Sequence, residues 1–332
     1  MTNHKIITML MVLAGMLLAG CSGDDDEVKR EAKNAEISIS TNLSKMLTRV
    51  TTIDSNSELQ AEDIKIDAYF HDSDTKYLDG VKLHYDSSDP AAWKFWEGDP
   101  GSEAHHFWPT ETPASSLDFV GYCPYTKPSY ITTGPTYSYS AGTISFASTM
   151  PTTTIEAVDY MTSDSQASMQ EFLVAILKDQ TYDTQTAAGG ALPMEFKHSF
   201  ACVKFSLSST TTKNVTVTSI TLNDLKTSGA CVFDGTTSTW SSQDGSATMK
   251  LTEELHRDDT ETTSPFLVIP NTYASAKTLT VNFTWREWDE EQSQSFSTSL
   301  DINWAAGHSY TYSLTITKDD LKVDVEKFTE QW

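Results

Sequence analysis

The chain has 332 residues, with 23 Lys and Arg against 46 Asp and Glu, giving a net charge of −23 at pH 7. That length exceeds what one hydrophobic core usually serves, which predicts two domains. The acidity repels phosphate backbones and anionic headgroups and so argues against nucleic-acid binding.

At the N-terminus, Lys5 precedes an apolar run from Ile6 to Leu18. The run suits a secretory signal and is too short to span a bilayer of about 30 Å. Leu18-Ala19-Gly20-Cys21 follows, the small-residue pattern of a lipoprotein cleavage site, with Cys21 as the acylated first residue of the mature chain. Residues 1–20 are therefore read as signal peptide and 21–35 as a tether. Its run Asp24-Asp25-Asp26-Glu27 has no apolar residue to bury and lacks the ligand spacing of a calcium loop.

Beyond the tether, apolar residues recur with period two, as on strands with one buried face. The runs are Ile37 and Ile39; Ile64, Ile66, Ala68 and Phe70; and Val81, Leu83 and Tyr85. They resume at Ala201, Val203, Phe205 and Leu207, at Leu279, Val281, Phe283 and Trp285, and at Tyr310, Tyr312, Leu314 and Ile316. Asp79-Gly80, Asp234-Gly235 and Asp244-Gly245 read as turns. In Val215, Val217, Ile220 and Leu222 the alternation slips by one, which predicts a bulge or short turn near Thr218 and Ser219. Met169, Phe172, Leu173, Ile176 and Leu177 make a helical stripe, while Phe172–Leu177 also reads as a buried strand. Gly189-Gly190 and Pro193 interrupt regular structure, so the boundary is placed there. The expected fold is all-β, with an N-terminal sandwich over 36–186 and a C-terminal one over 187–332.

The four cysteines, Cys21, Cys123, Cys202 and Cys231, have neither CxxC spacing nor the density of a disulfide scaffold. Buried free thiols are favoured over a Cys202–Cys231 bridge.

The order of several motifs resembles the fimbrillin-like family of Bacteroidetes surface proteins, which build type V pili. In the first half it is carried by Trp93, Phe107-Trp108-Pro109, Leu117-Asp118-Phe119-Val120-Gly121-Tyr122 with Pro124, and Asp159-Tyr160-Met161-Thr162. In the second it is carried by Phe196-Lys197-His198, Trp240, Phe266-Leu267-Val268-Ile269-Pro270, and Trp304 through Gly307 to Tyr310 and Tyr312. Asn271 after Pro270, where Gln is commoner, and Ser199, where a small apolar residue is common, depart from the pattern.

The resemblance implies two tandem transthyretin-like β-sandwiches. It also implies export as a lipoprotein, with the acidic run after Cys21 directing it to the outer face of the outer membrane. In polymerising members a protease cuts after an Arg before the first domain and removes the leading strand. Arg49 sits at the matching place, and the chain has only four arginines, Arg30, Arg49, Arg257 and Arg286. The removable strand is then the segment with Ile37, Ile39 and Leu43. Its loss would leave a groove of unpaired backbone groups and apolar core that a donor strand could fill. The candidate donor is the tail with Leu321, Val323 and Val325 on one face; the alternative is that the tail finishes its own domain as an edge strand. Implied partners are other pilus subunits of the same or another kind, the outer membrane through the lipid, and a host or bacterial surface ligand.

No G-x-S-x-G, H-E-x-x-H, Walker or dinucleotide pattern occurs, so neither catalysis nor a cofactor is expected. His105 and His106 are adjacent, and on a strand would point to opposite faces rather than share a metal. The rival reading is a stand-alone surface glycan-binding lipoprotein, with Trp93, Trp96, Trp108, Trp285 and Trp288 as platforms for sugar rings.

Overall fold

The structure, a computed structural model, describes residues 35–43, 55–88, 90–98, 101–110, 116–150, 154–156, 171–210, 215–251, 255–256, 261–262, 266–288, 290–317 and 323–331. The described chain is almost entirely β. The signal peptide, Cys21, most of the tether, Arg49, Asp159–Thr162 and Leu321 lie outside the described residues.

An eight-stranded sheet dominates the first half, in the order Ile39–Leu43, Leu192–His198, Leu173–Gln180, Leu117–Cys123, Ile64–Phe70, Lys76–Asp86, Ala92–Glu97 and Ser102–Ala104. One face of this curled sheet encloses a core of Ile37, Ile39, Leu43, Ile64, Ile66, Leu83, Phe95, Phe119, Met194 and Phe196, among others. Gly121 is required at its centre, because a Cβ there would lie 2.6 Å from Phe196 and 2.8 Å from Met194.

Strands mainly of the second half build two sheets that face each other. One runs Glu261–Thr262, Ala201–Ser209, His308–Ile316, Val323–Gln331; the other runs Glu290–Leu300, Lys277–Glu287, Val215–Leu225, Ala247–Leu251, Thr154–Glu156. Between them lie Phe205, Ile220, Leu222, Phe266, Val281, Phe283, Trp304 and Tyr312.

Among the described residues the buried side chains form a third core beside these two. Ile131–Ser138 and Thr143–Thr149, from the first half, join Ser228–Phe233 and Ser238–Asp244, from the second, in one four-stranded sheet. It covers the outer face of the first sheet through Tyr130, Ile144, Phe146, Phe200, Cys231 and Phe233, packed on Val120, Tyr122, Phe172 and Val174. Leu117–Cys123 is consequently buried along its whole length. Within it the Asp118 carboxylate accepts hydrogen bonds from Tyr137 Oη at 2.7 Å and from the Asp179 amide at 2.8 Å, and lies 2.8 Å from His71 Nδ1.

Two sequence readings change. Leu173–Leu177 lies in the strand Leu173–Gln180, with Phe172 just ahead of it, not in a helix; Phe172–Ala175 is buried on both faces. Asp79-Gly80 is not a turn; it lies inside Lys76–Asp86, where the register with Ile64–Phe70 shifts and Gly80 takes φ +65°. There Asp67 Oδ1 accepts from the Gly80 amide at 2.6 Å. The Gly189-Gly190 turn lies inside the first sheet, since Leu192–His198 pairs with both Ile39–Leu43 and Leu173–Gln180. The slip near Thr218 is a bulge between Val217 and Ser219, as its spacing predicts. Cys123, Cys202 and Cys231 are buried and not joined to one another by a disulfide.

Candidate functional site

The leading segment closes the first sheet. Ile39–Leu43 runs parallel to Leu192–His198, with Ile39 opposite Leu192, Thr41 opposite Met194 and Leu43 opposite Phe196. Just before it, the chain meets the far end of the same sheet. Glu36 bridges Phe107, the Ile37 amide donates to His106 O at 2.7 Å, and the Trp108 amide donates to Ala35 O at 3.0 Å. Residues 35–43 thus sit between the two ends of a curled sheet. Ile37, Ile39 and Leu43 are 1%, 2% and 6% exposed, so the three predicted residues of the removable strand are core residues.

Two short helices hold this strand with side-chain amides. Tyr182–Ala187 is fixed by a capping box between Thr181 and Thr184. Its Gln185 points inward, where Oε1 accepts from the Ser38 amide at 3.0 Å and from Trp108 Nε1 at 3.1 Å, while Nε2 donates to Glu36 O at 2.8 Å. Asn56–Leu59, capped by Ser55 and anchored by fully buried Leu59, directs Asn56 Oδ1 to accept from the Leu43 amide at 2.9 Å. Toward the leading segment both amides bond backbone only, so they hold an extended chain whatever its side chains. Sequence reasoning missed Gln185 and Asn56, since neither belongs to a periodic run.

At the lip of the slot the adjacent histidines diverge. His105 Nδ1 lies 2.8 Å from Glu36 Oε1, and this pairing raises the His105 pKa above its ordinary value. His106 turns inward, its ring edge-on to Phe95, and burial lowers its pKa.

The tail behaves differently. Val323–Gln331 pairs antiparallel with His308–Ile316 and forms the outer edge of its own sheet, from Val323 opposite Ile316 to Gln331 opposite His308. This is the arrangement of the alternative reading. Lys327, Phe328 and Thr329 are exposed, Phe328 by 54%.

The tryptophans do not form a shared platform. Trp93 and Trp108 are buried, Trp285 packs half-buried on the second core, and Trp96 is half-buried beside His84. Trp288 is 94% exposed, where the paired strands Lys277–Glu287 and Glu290–Leu300 meet.

Fold and site together define a multi-sheet β protein whose first strand completes a body that follows it in sequence. The fimbrillin-like family profile matches residues 48–332, and the chain belongs to that family. A fimbrial protein from Bacteroides vulgatus has a similar fold, with a TM-score of 0.61 at 17% identity over 90% of this chain and 100% of its own. A protein assigned to cell adhesion from Bacteroides ovatus gives a TM-score of 0.52 at 16% identity, over 90% of this chain and 97% of its own. No curated protein matches the chain.

Proposed function

We propose that this chain is a structural or adhesive subunit of a cell-surface pilus, exported as a lipoprotein on Cys21 and facing outward from the outer membrane. In this reading cleavage after Arg49 severs the leading strand from the body, and a strand from another subunit of the same or a different kind takes its slot. The observation that carries the reading is the position of residues 35–43, buried in a core built by residues that follow Arg49. A cut at Arg49 leaves that strand held by non-covalent contacts alone, so a competing strand can take its place. The family match begins at residue 48, one residue before Arg49, which is consistent with a shared body distinct from the leading strand.

The tail, with Leu321, Val323 and Val325, is the proposed donor. It is bonded along one edge only, so releasing it breaks a single ladder. Adhesion to a host or bacterial surface ligand would then be a property of the assembled fibre.

The test is incubation of the lipid-free full chain with an Arg-specific protease, followed by electron microscopy and N-terminal sequencing. Filaments whose subunits begin at Val50 are the expected result. A chain that is cut at Arg49 and stays monomeric, or that is not cut there, overturns the proposal.

A further inference from the structure

The leading strand fits its slot imperfectly at one position. Of the residues whose side chains face inward from the paired ladder, Ile39 and Leu43 fill apolar pockets, and between them stands Thr41. Its Oγ1 is buried and has no hydrogen-bond partner among the described residues. Across the ladder stands Met194, which offers only a thioether, a weak acceptor. A buried hydroxyl without a partner keeps its desolvation cost and recovers nothing, so an apolar residue of the same shape would bind more tightly there.

The tail contains such a residue. Leu321, Val323 and Val325 repeat the two-residue spacing of Ile39, Thr41 and Leu43. When the outer two of the tail's set enter the Ile39 and Leu43 pockets, the middle one, Val323, falls on the Thr41 position. This holds whether the incoming strand runs parallel or antiparallel to Leu192–His198. Valine has the branched outline of threonine without the hydroxyl. We propose that Thr41 makes the leading strand the weaker occupant of its own slot, and that a donor tail displaces it by seating Val323 where Thr41 stood. The inference rests on the strand-exchange reading for the donor and on the structure alone for the occupant.

Two measurements test the two halves separately. In the uncleaved, lipid-free full chain, Thr41→Val is expected to raise the thermal midpoint by about 2–6 °C. An unchanged or lowered midpoint overturns the claim about Thr41. After cleavage at Arg49, a synthetic peptide of residues 319–331 is titrated in, and release of the leading fragment is followed. The wild-type peptide is expected to displace the wild-type fragment, with roughly ten-fold more peptide needed against the Thr41→Val fragment. A Val323→Thr peptide should lose roughly ten-fold in potency against the wild-type fragment. Equal potency of the two peptides overturns the Val323 placement while leaving strand exchange intact. Failure of the wild-type peptide to displace any fragment, with no filaments from the cleaved chain, sinks the donor role itself. A raised midpoint for Thr41→Val then still stands as a property of the folded monomer.

Discussion

Two edge strands of this molecule look alike in a list of strands and differ in what they hold. Ile39–Leu43 pairs with Leu192–His198, residues 35–37 just ahead of it bond the 106–108 backbone, and its inward residues are part of a core. Val323–Gln331 has one flank, and Lys327, Phe328 and Thr329 are exposed. The first is structural although it lies outside the body in sequence. The second lies at the edge of the sheet whose neighbouring strand supplies Tyr310, Tyr312, Leu314 and Ile316 to the second core. A donor must be releasable and an acceptor slot must be costly to leave empty, and these strands have those respective properties.

The largest effect comes from removing each strand in turn. A chain lacking residues 35–43 exposes the Leu192, Met194 and Phe196 core and is expected to aggregate or to unfold in low urea. A chain lacking residues 321–332 is expected to stay folded and monomeric, with filament formation after cleavage abolished. Equal loss of solubility in both would erase the distinction. Point substitutions sharpen it. Ile39→Ala is expected to cost about 2–5 kcal/mol, whereas Phe328→Ala should stay within about 0.5 kcal/mol, both read from urea midpoints.

Next in size is the amide clamp. Gln185→Met keeps the length of the side chain and strands the Ser38 amide, the Trp108 indole N–H and the Glu36 carbonyl without the partner they share. The expected cost is about 1–3 kcal/mol. Faster amide hydrogen exchange at Ser38 should accompany it, with exchange across Val323–Gln331 unchanged. Acceleration in both strands alike would mean that Gln185 supports the whole fold and not the slot.

Much of this was legible in the sequence, and the exceptions have a common cause. Period two located Ile64–Phe70, Ala201–Ser209 and His308–Ile316 because one face of each carries a regular apolar row into a core, and a slip in that period located the bulge at Thr218. Ile37, Ile39 and Leu43 were visible as a core-facing set in the same way. Leu117–Cys123 and Phe172–Ala175 gave no alternation, because a sheet drawn from both halves of the chain covers their outer faces, and that sheet cannot be foreseen from either half. Asp79-Gly80 misled because a positive φ serves a bulge as well as a turn. Gln185 and Asn56 act on backbone that the fold brings to them, Gln185 across 147 residues, and nothing local marks such a side chain.

The smallest effect, and the one with the sharpest sign, concerns the two histidines at the lip of the slot. The Glu36 carboxylate raises the pKa of His105, so the folded chain holds that proton more tightly than the unfolded chain does. The pairing therefore stabilises fully below the ordinary histidine value of about 6.5, and its contribution is lost as pH rises through the higher folded value. Burial against Phe95 lowers the pKa of His106, and the sign reverses. As pH falls through about 6.5 the unfolded chain takes up a proton that the folded chain resists, so stability is present above that pH and declines below it. His105→Gln should accordingly lower the thermal midpoint at pH 5.5 and leave it unchanged at pH 8.5. His106→Gln should flatten the decline on the acid side. Both residues flank the backbone that receives Ile37, so hydrogen exchange at the Ile37 amide should follow the same two trends, while exchange along Val323–Gln331 should follow neither. A tail that tracked these substitutions would show that the two edge strands are coupled, and the contrast between them would fail.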